Sequence, residues 1–230
     1  MAHTRRNGSR RVRGGPAGRP RPSVRVNPAG YTARVVARFD SIRTERLLMR
    51  RWRDADRRPF AAMNADPEVM RYFPAALDRA ASDEYVDRIE ALFERQGFGL
   101  WALEDAATGR FLGFTGLNPM PAGVPGAGGM EVGWRLARHA WHHGYATEAG
   151  TAALDVAFRG AGLTEVWSMT AVLNEPSQAV MRRLGMTLHA LFQHPRIDPG
   201  HPIRPHVVFR LPRPPDAWER SRSAPAGLPG

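Results

Sequence analysis

The stretch Glu131-Val-Gly-Trp-Arg-Leu-Ala-Arg-His-Ala-Trp-His-His-Gly-Tyr-Ala-Thr-Glu148 carries the strongest structural signal in the chain. Its first part predicts a strand over 130–136, and a helix is predicted to begin at about Gly144. Such a junction points several main-chain N–H groups outward at a helix N-terminus, where the helix dipole favours an anion. Gly144 and Ala146 are small enough to let a pyrophosphate approach the main chain. Alone, this pattern is weak, because glycine at a strand-to-helix turn is often only a steric device.

The segments on either side of this stretch alternate between strand and helix patterns. Asp54 is predicted to cap the first long helix, and Gly97 to end a helix over 82–96. A turn at Thr108-Gly109 indicates a hairpin. The predicted strands are 45–51, 98–104, 110–117, 130–136, 165–172, 186–192 and 206–211, and the other helices lie at 67–72, 144–158 and 176–184. This order predicts an α/β fold, a mixed sheet with helices packed on it.

A second informative segment is Thr170-Ala-Val-Leu-Asn-Glu-Pro-Ser-Gln-Ala-Val-Met-Arg-Arg-Leu-Gly-Met186. It predicts a strand, a polar residue at the strand end (Asn174), and a helix that ends at Gly185, where left-handed geometry favours glycine. It lies about 30 residues after the first segment. The pair of segments is more specific than either one alone.

Together the two segments resemble the motifs of the GNAT acetyltransferases: a strand followed by (Gln/Arg)-x-x-Gly-x-(Gly/Ala), and later strand–Asn–helix–Leu-Gly-(Phe/Met). Trp141-His-His-Gly-Tyr-Ala-Thr-Glu-Ala149 is similar to the branch that contains the ribosomal-protein N-terminal acetyltransferases, although Trp141 stands where the motif usually has Gln or Arg. The likeness covers roughly residues 43–211, including Thr44-Glu-Arg-Leu-Leu-Met-Arg and Asp66-Pro-Glu-Val-Met. It implies a mostly antiparallel sheet that splays at the acetyl-CoA strand.

The resemblance also implies the cosubstrate, acetyl-CoA, and the residues that would hold it. Strand residues would pair with the pantetheine arm, residues 141–147 would hold the pyrophosphate, and Asn174 would bond the pantetheine; a helix cap or turn is the other interpretation of Asn174. The residues that this assigns to acetyl-CoA are Trp134, Leu136, Trp141, His142, His143, Gly144, Tyr145, Ala146, Thr147 and Asn174.

The implied reaction is direct attack of an amine on the acetyl thioester, which needs a base, oxyanion stabilisation and an acid for the thiolate. By resemblance Glu131 would be the general base; a plain strand-end carboxylate is the alternative. The Tyr that many members use as acid is replaced by Met181. Ser177 matches the acid proposed in the ribosomal-protein branch, but it could simply cap the following helix.

Other side chains could contribute to the acceptor side. His194, His201 and His206 are close in sequence, but their spacing fits no zinc pattern, so no metal site is predicted and a substrate-facing or structural role is favoured. Trp52, Tyr72, Phe73 and the loop 119–129 could line the acceptor site. The sequence does not rank them.

Composition and charge indicate the domain boundaries and the cellular compartment, and they exclude cysteine chemistry. The net charge is +11, yet residues 1–38 contain ten arginines and no acid, so the rest of the chain is nearly neutral. We expect a disordered tail over 1–40, the catalytic domain over 41–211 and a Pro-rich tail over 212–230. With no Cys, no thiolate nucleophile or disulfide is possible. No apolar run or signal sequence is evident, so a cytoplasmic bacterial protein is expected.

Three functions follow from these patterns. The first is an N-acetyltransferase that uses acetyl-CoA on a primary amine, either a protein N-terminus or a small molecule such as a metabolite, antibiotic or polyamine. The second is a non-catalytic acyl-CoA-binding module on the same fold. The third, a nucleic-acid-associated protein acting through the Arg-rich tail, ranks last, because the body has no recognition-helix or stacking signature. Either a monomer or a homodimer is compatible with the sequence.

Overall fold

The structure, a computed structural model, describes residues 38–215. The predictions for the N-terminal tail up to residue 37 and for the C-terminal tail from residue 216 lie outside the described residues. Pro212, where the second tail was predicted to begin, is the last residue of the final strand and pairs with Glu165.

An eight-stranded sheet organises the described part of the chain, in the order β1-β2-β3-β4-β5-β6-β8-β7. All neighbouring strands are antiparallel except β5 and β6, which are parallel. The strands are β1 (Ser41–Arg43), β2 (Leu47–Arg50), β3 (Leu100–Asp105), β4 (Phe111–Pro119), β5 (Met130–Leu136), β6 (Glu165–Ala171), β7 (Thr187–Gln193) and β8 (Pro205–Pro212). The α/β fold with a mostly antiparallel sheet is therefore confirmed.

Five α-helices flank this sheet in the described residues. The first, α1, packs on α3 and β4, whereas α4 packs on β4 and β5. Their bounds are α1 (Asp54–Ala65), α2 (Pro67–Met70), α3 (Arg79–Gln96), α4 (Tyr145–Asp155) and α5 (Glu175–Arg183); α4 continues into a π-helical turn, Val156–Gly160. Gly97 ends α3 and Gly185 follows α5, both with positive φ, as predicted.

The core lies between the sheet and the helices. Its largest fully buried side chains come from β2, α1, α3, β3, β4, β5, β6 and α5: Leu47, Met49, Phe60, Val86, Phe93, Trp101, Leu103, Leu117, Val132, Val166 and Met181. Burial of apolar surface on this scale supplies the main stabilising free energy of the fold. It also holds β5 and α4 rigidly beside each other.

The parallel pair β5–β6 splays. These strands are in register at a single pair, Glu131 with Trp167, and then diverge. Beyond that pair, the main-chain groups of β5 that face β6 have no strand partner in the described sheet. The expected splay is thus present, and it opens a gap that starts at Glu131.

One local prediction was wrong, and one short strand was missed. Arg53, not Asp54, is the N-cap of α1, and Asp56 accepts the hydrogen bond from the Arg53 main-chain N–H at 2.8 Å. The short strand β1 was not predicted, because three residues give too little periodicity to recognise.

Within residues 38–215, no helix has the length and apolar character to cross a membrane.

Candidate active site

The turn between β5 and α4 has an unusual main-chain geometry. Gly144 is the N-cap of α4 with φ of 79°, and His142 has φ of 62°, which only a few per cent of non-glycine residues adopt. The indole Nε1 of Trp141 donates to the Leu136 carbonyl at 2.8 Å. The side chain that replaces the usual Gln or Arg therefore ties the turn back to the end of β5.

This geometry leaves a run of main-chain donors without protein acceptors. The N–H groups of residues 142–146 donate to no described residue. By contrast, the Trp141 N–H donates to Arg138 at 3.1 Å and the Thr147 N–H donates to Gly144 at 3.1 Å. Five consecutive N–H groups are therefore free, whereas the sequence assigned all seven residues of the segment 141–147 to the pyrophosphate. They lie at the N-terminus of an 11-residue helix, where the dipole adds a partial positive charge.

These donors belong to a large cleft of about 1040 Å³. The cleft is lined by β5, by the turn and first residues of α4, by α5 and by the segment around α2. Of the residues that the sequence assigned to acetyl-CoA, those in its wall are Trp134, Leu136, Trp141, His142, Gly144, Tyr145, Ala146, Thr147 and Asn174. His143 is exposed and its ring stacks on Tyr145, with 5.4 Å between centroids, so its side chain is not part of the wall.

Arg46, which precedes β2 and lines the large cleft, braces the turn. Its Nε donates to Glu148 Oε2 at 2.7 Å and its Nη1 donates to the His143 carbonyl at 2.9 Å. Glu148 also accepts from the Thr44 hydroxyl at 2.6 Å. The sequence did not identify this brace, because about 100 residues separate its two halves. The segment from Thr44 was noted only for its resemblance to the family, without a role.

Glu131 lies in a second, smaller cavity of about 240 Å³, at the point where β5 and β6 part. Burial raises the pKa of this carboxyl to about 7, while a hydrogen bond with the Asn118 side chain acts in the opposite direction. A carboxyl with this pKa is half ionised near neutral pH and can both accept and release a proton.

Ser177 lies on α5 and borders both cavities. Asn174, not Ser177, caps this helix: its Oδ1 accepts from the Ser177 main-chain N–H at 3.3 Å, and its Nδ2 donates to Thr170 at 2.9 Å. The Ser177 hydroxyl oxygen accepts from the Trp134 indole at 3.3 Å. Because the indole can only donate, the hydroxyl proton of Ser177 stays available to another acceptor.

Two of the three clustered histidines meet in the smaller cavity. The rings of His194 and His206 are 4.8 Å apart, and burial lowers the pKa of both imidazoles. His201 is exposed, and its Nδ1 accepts from the Ile203 main chain at 3.3 Å. Over the described range 38–215, no group of three or more His, Asp or Glu side chains is arranged to hold a metal ion.

Only some of the residues suggested for the acceptor site line the two cavities. Tyr72 and Phe73 line both cavities. Trp52 is in the core, where its indole donates to the Leu100 carbonyl at 2.8 Å, and the loop 119–129 packs on Trp167. The sequence missed Arg135, which lines both cavities from β5; the strand pattern gave no sign that a charged residue would be buried there.

Comparisons with known proteins identify a family with this fold. The family model described as an acetyltransferase (GNAT) domain matches residues 46–187. The uncharacterized protein YkkB of Bacillus subtilis is 32% identical over 144 residues, which are 62% of this chain and 83% of YkkB. The crystal structure of an acetyltransferase from Agrobacterium tumefaciens is 27% identical with a TM-score of 0.61, covering 74% of this chain and 93% of that one.

A ribosomal-protein-S5-alanine acetyltransferase from Vibrio fischeri has a TM-score of 0.62, covering 75% of this chain and 96% of that one. At 14% identity it shares the fold alone. The fold and the family match define the protein as an acyltransferase. The chain belongs to the GNAT acetyltransferase family, and it is an acetyl-CoA-dependent acetyltransferase.

Proposed function

We propose that the protein transfers the acetyl group of acetyl-CoA to a primary amine by direct attack within a ternary complex. The observation that carries the proposal is the run of five unpaired N–H groups at residues 142–146, which opens on the large cleft beside the cavity of Glu131. A diphosphate fits these donors, and the splayed strand leaves main-chain groups for the amides of the pantetheine arm.

The cleft positions the coenzyme along β5. The pyrophosphate lies on the turn, the pantetheine follows β5 past Leu136 and Trp134, and the thioester reaches the junction of the two cavities. Asn174 borders this path, and its side-chain oxygen keeps one lone pair beyond the bond to Ser177. Main-chain N–H groups of β5 that face the gap polarise the thioester carbonyl and stabilise the oxyanion of the tetrahedral intermediate.

Glu131 accepts the proton of the attacking amine, directly or through one water. Its pKa of about 7 suits this role, because a base poised near the working pH combines a large ionised fraction with useful basicity. The neutral amine then adds to the thioester carbon, the tetrahedral intermediate collapses, and the C–S bond breaks.

Ser177 donates its hydroxyl proton to the departing thiolate and takes up the second proton of the amine nitrogen, so that its own hydroxyl is restored. The hydrogen bond from Trp134 fixes the hydroxyl oxygen and leaves its proton free for this transfer. Met181, which replaces the family's frequent tyrosine, is fully buried and offers no proton. No covalent enzyme intermediate is needed, and both substrates are present together when the bond forms.

The acceptor class follows from the resemblance rather than from the fold. A protein N-terminus, as in the ribosomal-protein branch, and a small-molecule amine are the two candidates. We place the enzyme in the bacterial cytoplasm, acting as a monomer or a homodimer, with residues 41–211 as its catalytic domain and without a metal.

Calorimetric titration with coenzyme A, followed by thiol release from acetyl-CoA over a panel of amines and peptides, tests the proposal. We expect coenzyme A to bind and to protect the fold against thermal unfolding, and at least one amine to be acetylated. Binding without thiol release for any amine would instead support a non-catalytic acyl-CoA module. No binding at millimolar coenzyme A would reject both functions.

A further inference from the structure

Arg135 is a buried cation without a counter-ion. Its residue is 9% exposed, and no carboxylate of the described chain forms an ion pair with it. Its Nε is buried and has no hydrogen-bond partner, and its Nη2 donates to no described residue. The rings of Phe73, Tyr85 and Phe114 face the guanidinium, but none carries the opposite charge that a buried guanidinium favours, so an anionic ligand would complete this arrangement.

The guanidinium is held firmly in place. Its Nη1 donates to Asn64 Oδ1 at 2.7 Å, and Asn64 in turn donates to the Ser82 hydroxyl at 3.1 Å. Asn64 and Ser82 are both fully buried. The Phe73 ring covers the guanidinium at 4.1 Å from its centroid. The edge formed by Nε and Nη2 therefore has no hydrogen-bond partner in the described chain, and Nε is shielded from solvent.

Arg135 lies on the same face of β5 as Glu131. Side chains alternate along a strand, so residues 131, 133 and 135 share one face. At the middle position, Gly133 leaves open space: a Cβ there would meet only Glu131 Oε1, at 3.9 Å. Both charged residues line the smaller cavity, about 13 Å apart at their Cα atoms. A small molecule above Gly133 can thus reach both.

The other ionisable groups of this cavity do not offset the charge of Arg135. Burial lowers the pKa of His194 and His206, so both imidazoles are neutral near pH 7. Burial raises the pKa of Tyr85, so its phenol is neutral as well. Glu131 is the cavity's one carboxylate within the described wall. Such a wall does not suit a polycation, which needs several acidic partners.

We propose that the Nε–Nη2 edge of Arg135 is an anion subsite, and that the acceptor is a primary amine that also carries a carboxylate. The two carboxylate oxygens accept from Nε and Nη2, and the amine extends over Gly133 toward Glu131. This inference rests on the proposed function and narrows its acceptor class. Arg135 determines specificity and takes no part in proton transfer.

The test uses amino carboxylates with spacers from short to long, each paired with its own carboxamide. The specificity constant kcat/KM of each pair is measured by thiol release for the wild-type protein, Arg135→Met and Arg135→Lys. Arg138→Met is the matched control, since the Arg138 side chain is 61% exposed and lies outside both cavities. Thermal unfolding shows whether each variant is folded.

We expect the wild type and Arg138→Met to favour the carboxylate of at least one pair by about tenfold or more, because charge-assisted hydrogen bonds are strong. Arg135→Met should lose the preference. Arg135→Lys should keep part of it, since lysine retains the charge without the fork, and this variant decides the matter if the methionine variant does not fold. Equal rates for both members of every pair in the wild type would overturn the proposal.

A second measurement separates this inference from the proposed function. If coenzyme A binds but no amine is acetylated, the proposed function fails, and N-acetylated amino carboxylates are then titrated calorimetrically in the presence of coenzyme A. Binding that Arg135→Met abolishes would sustain the anion subsite. No heat with the wild type would overturn it.

Discussion

The large cleft and the smaller cavity meet at β5 but present different chemical groups. The cleft offers main-chain N–H groups of residues 142–146, whereas the cavity offers the side chains of Glu131, Arg135 and the histidines. Main-chain donors tolerate many side chains, so a turn of this type can serve one common coenzyme in many proteins. Side chains set the charge and shape of the cavity, so the acceptor is specific to each protein.

Glu131→Gln is the sharpest way to test this separation. Removing the base should lower kcat by about 10²–10⁴-fold, since this is the usual contribution of a positioned general base. Coenzyme A affinity, measured by calorimetry, should stay unchanged. Glu165→Gln is the control, because Glu165 starts the neighbouring strand and pairs with Arg210 at the surface. A comparable loss of coenzyme affinity would show that the two regions are not independent.

The pH dependence of the reaction should report the cavity alone. Because the pKa of Glu131 is raised to about 7, the carboxylate is lost as pH falls below 7, and the rate should drop about 50-fold between pH 7 and pH 5, as the ionised fraction falls from about one half to about 1%. Coenzyme A affinity should not follow this ionisation. Glu131→Gln supplies the comparison, since its residual rate should lack the step near pH 7. A step that persists in the variant would assign the ionisation to another group.

Arg46→Met tests the cleft, and here we expect coenzyme affinity to change while kcat does not. Without the bonds to Glu148 and to the His143 carbonyl, the turn should lose its fixed geometry, and the Kd for coenzyme A should rise about tenfold. The kcat at saturating acetyl-CoA should change little. Arg43→Met removes an exposed arginine of β1 and should leave the Kd unaltered. A fall in kcat with an unchanged Kd would contradict the bracing role.

Ser177→Ala should have the smallest effect, a reduction of kcat by a few-fold. A thiol has a pKa of about 8.5, so a thiolate leaves readily and needs little help from an acid. The effect should grow with a thioester whose leaving thiol is more basic, measured by comparing acetyl-CoA with acetylated simple thiols. Equal losses with all leaving groups would assign Ser177 a packing role with Trp134.

Local patterns predicted much of the fold. β5 was expected at 130–136 and is found there, and Gly97 and Gly185 follow their helices as predicted, because capping and periodicity depend on neighbours in sequence. The N-cap of α1 was predicted at Asp54, but it is Arg53. Asp54 and Asp56 can both accept a hydrogen bond at a helix N-terminus, and only the geometry shows that Asp56 accepts the one from the Arg53 main chain. The roles of Arg46 and Arg135 could not be predicted, because their partners are distant in sequence. Arg46 bonds to His143 and Glu148, 97 and 102 residues away, and Arg135 bonds to Asn64, 71 residues away.

The sequence by itself determined the order of the strands and helices apart from β1, the turn of residues 141–147 and the membership of Asn174 and Ser177 in one short segment. Those features depend on main-chain conformation and on spacing along the chain, which a linear pattern records. Only the tertiary structure decided that the donors of residues 142–146 are free, that Glu131 is buried enough to raise its pKa to about 7, and that Arg135 is buried without a counter-ion. Burial and long-range pairing depend on which distant segments pack together, and that information exists only once the chain has folded.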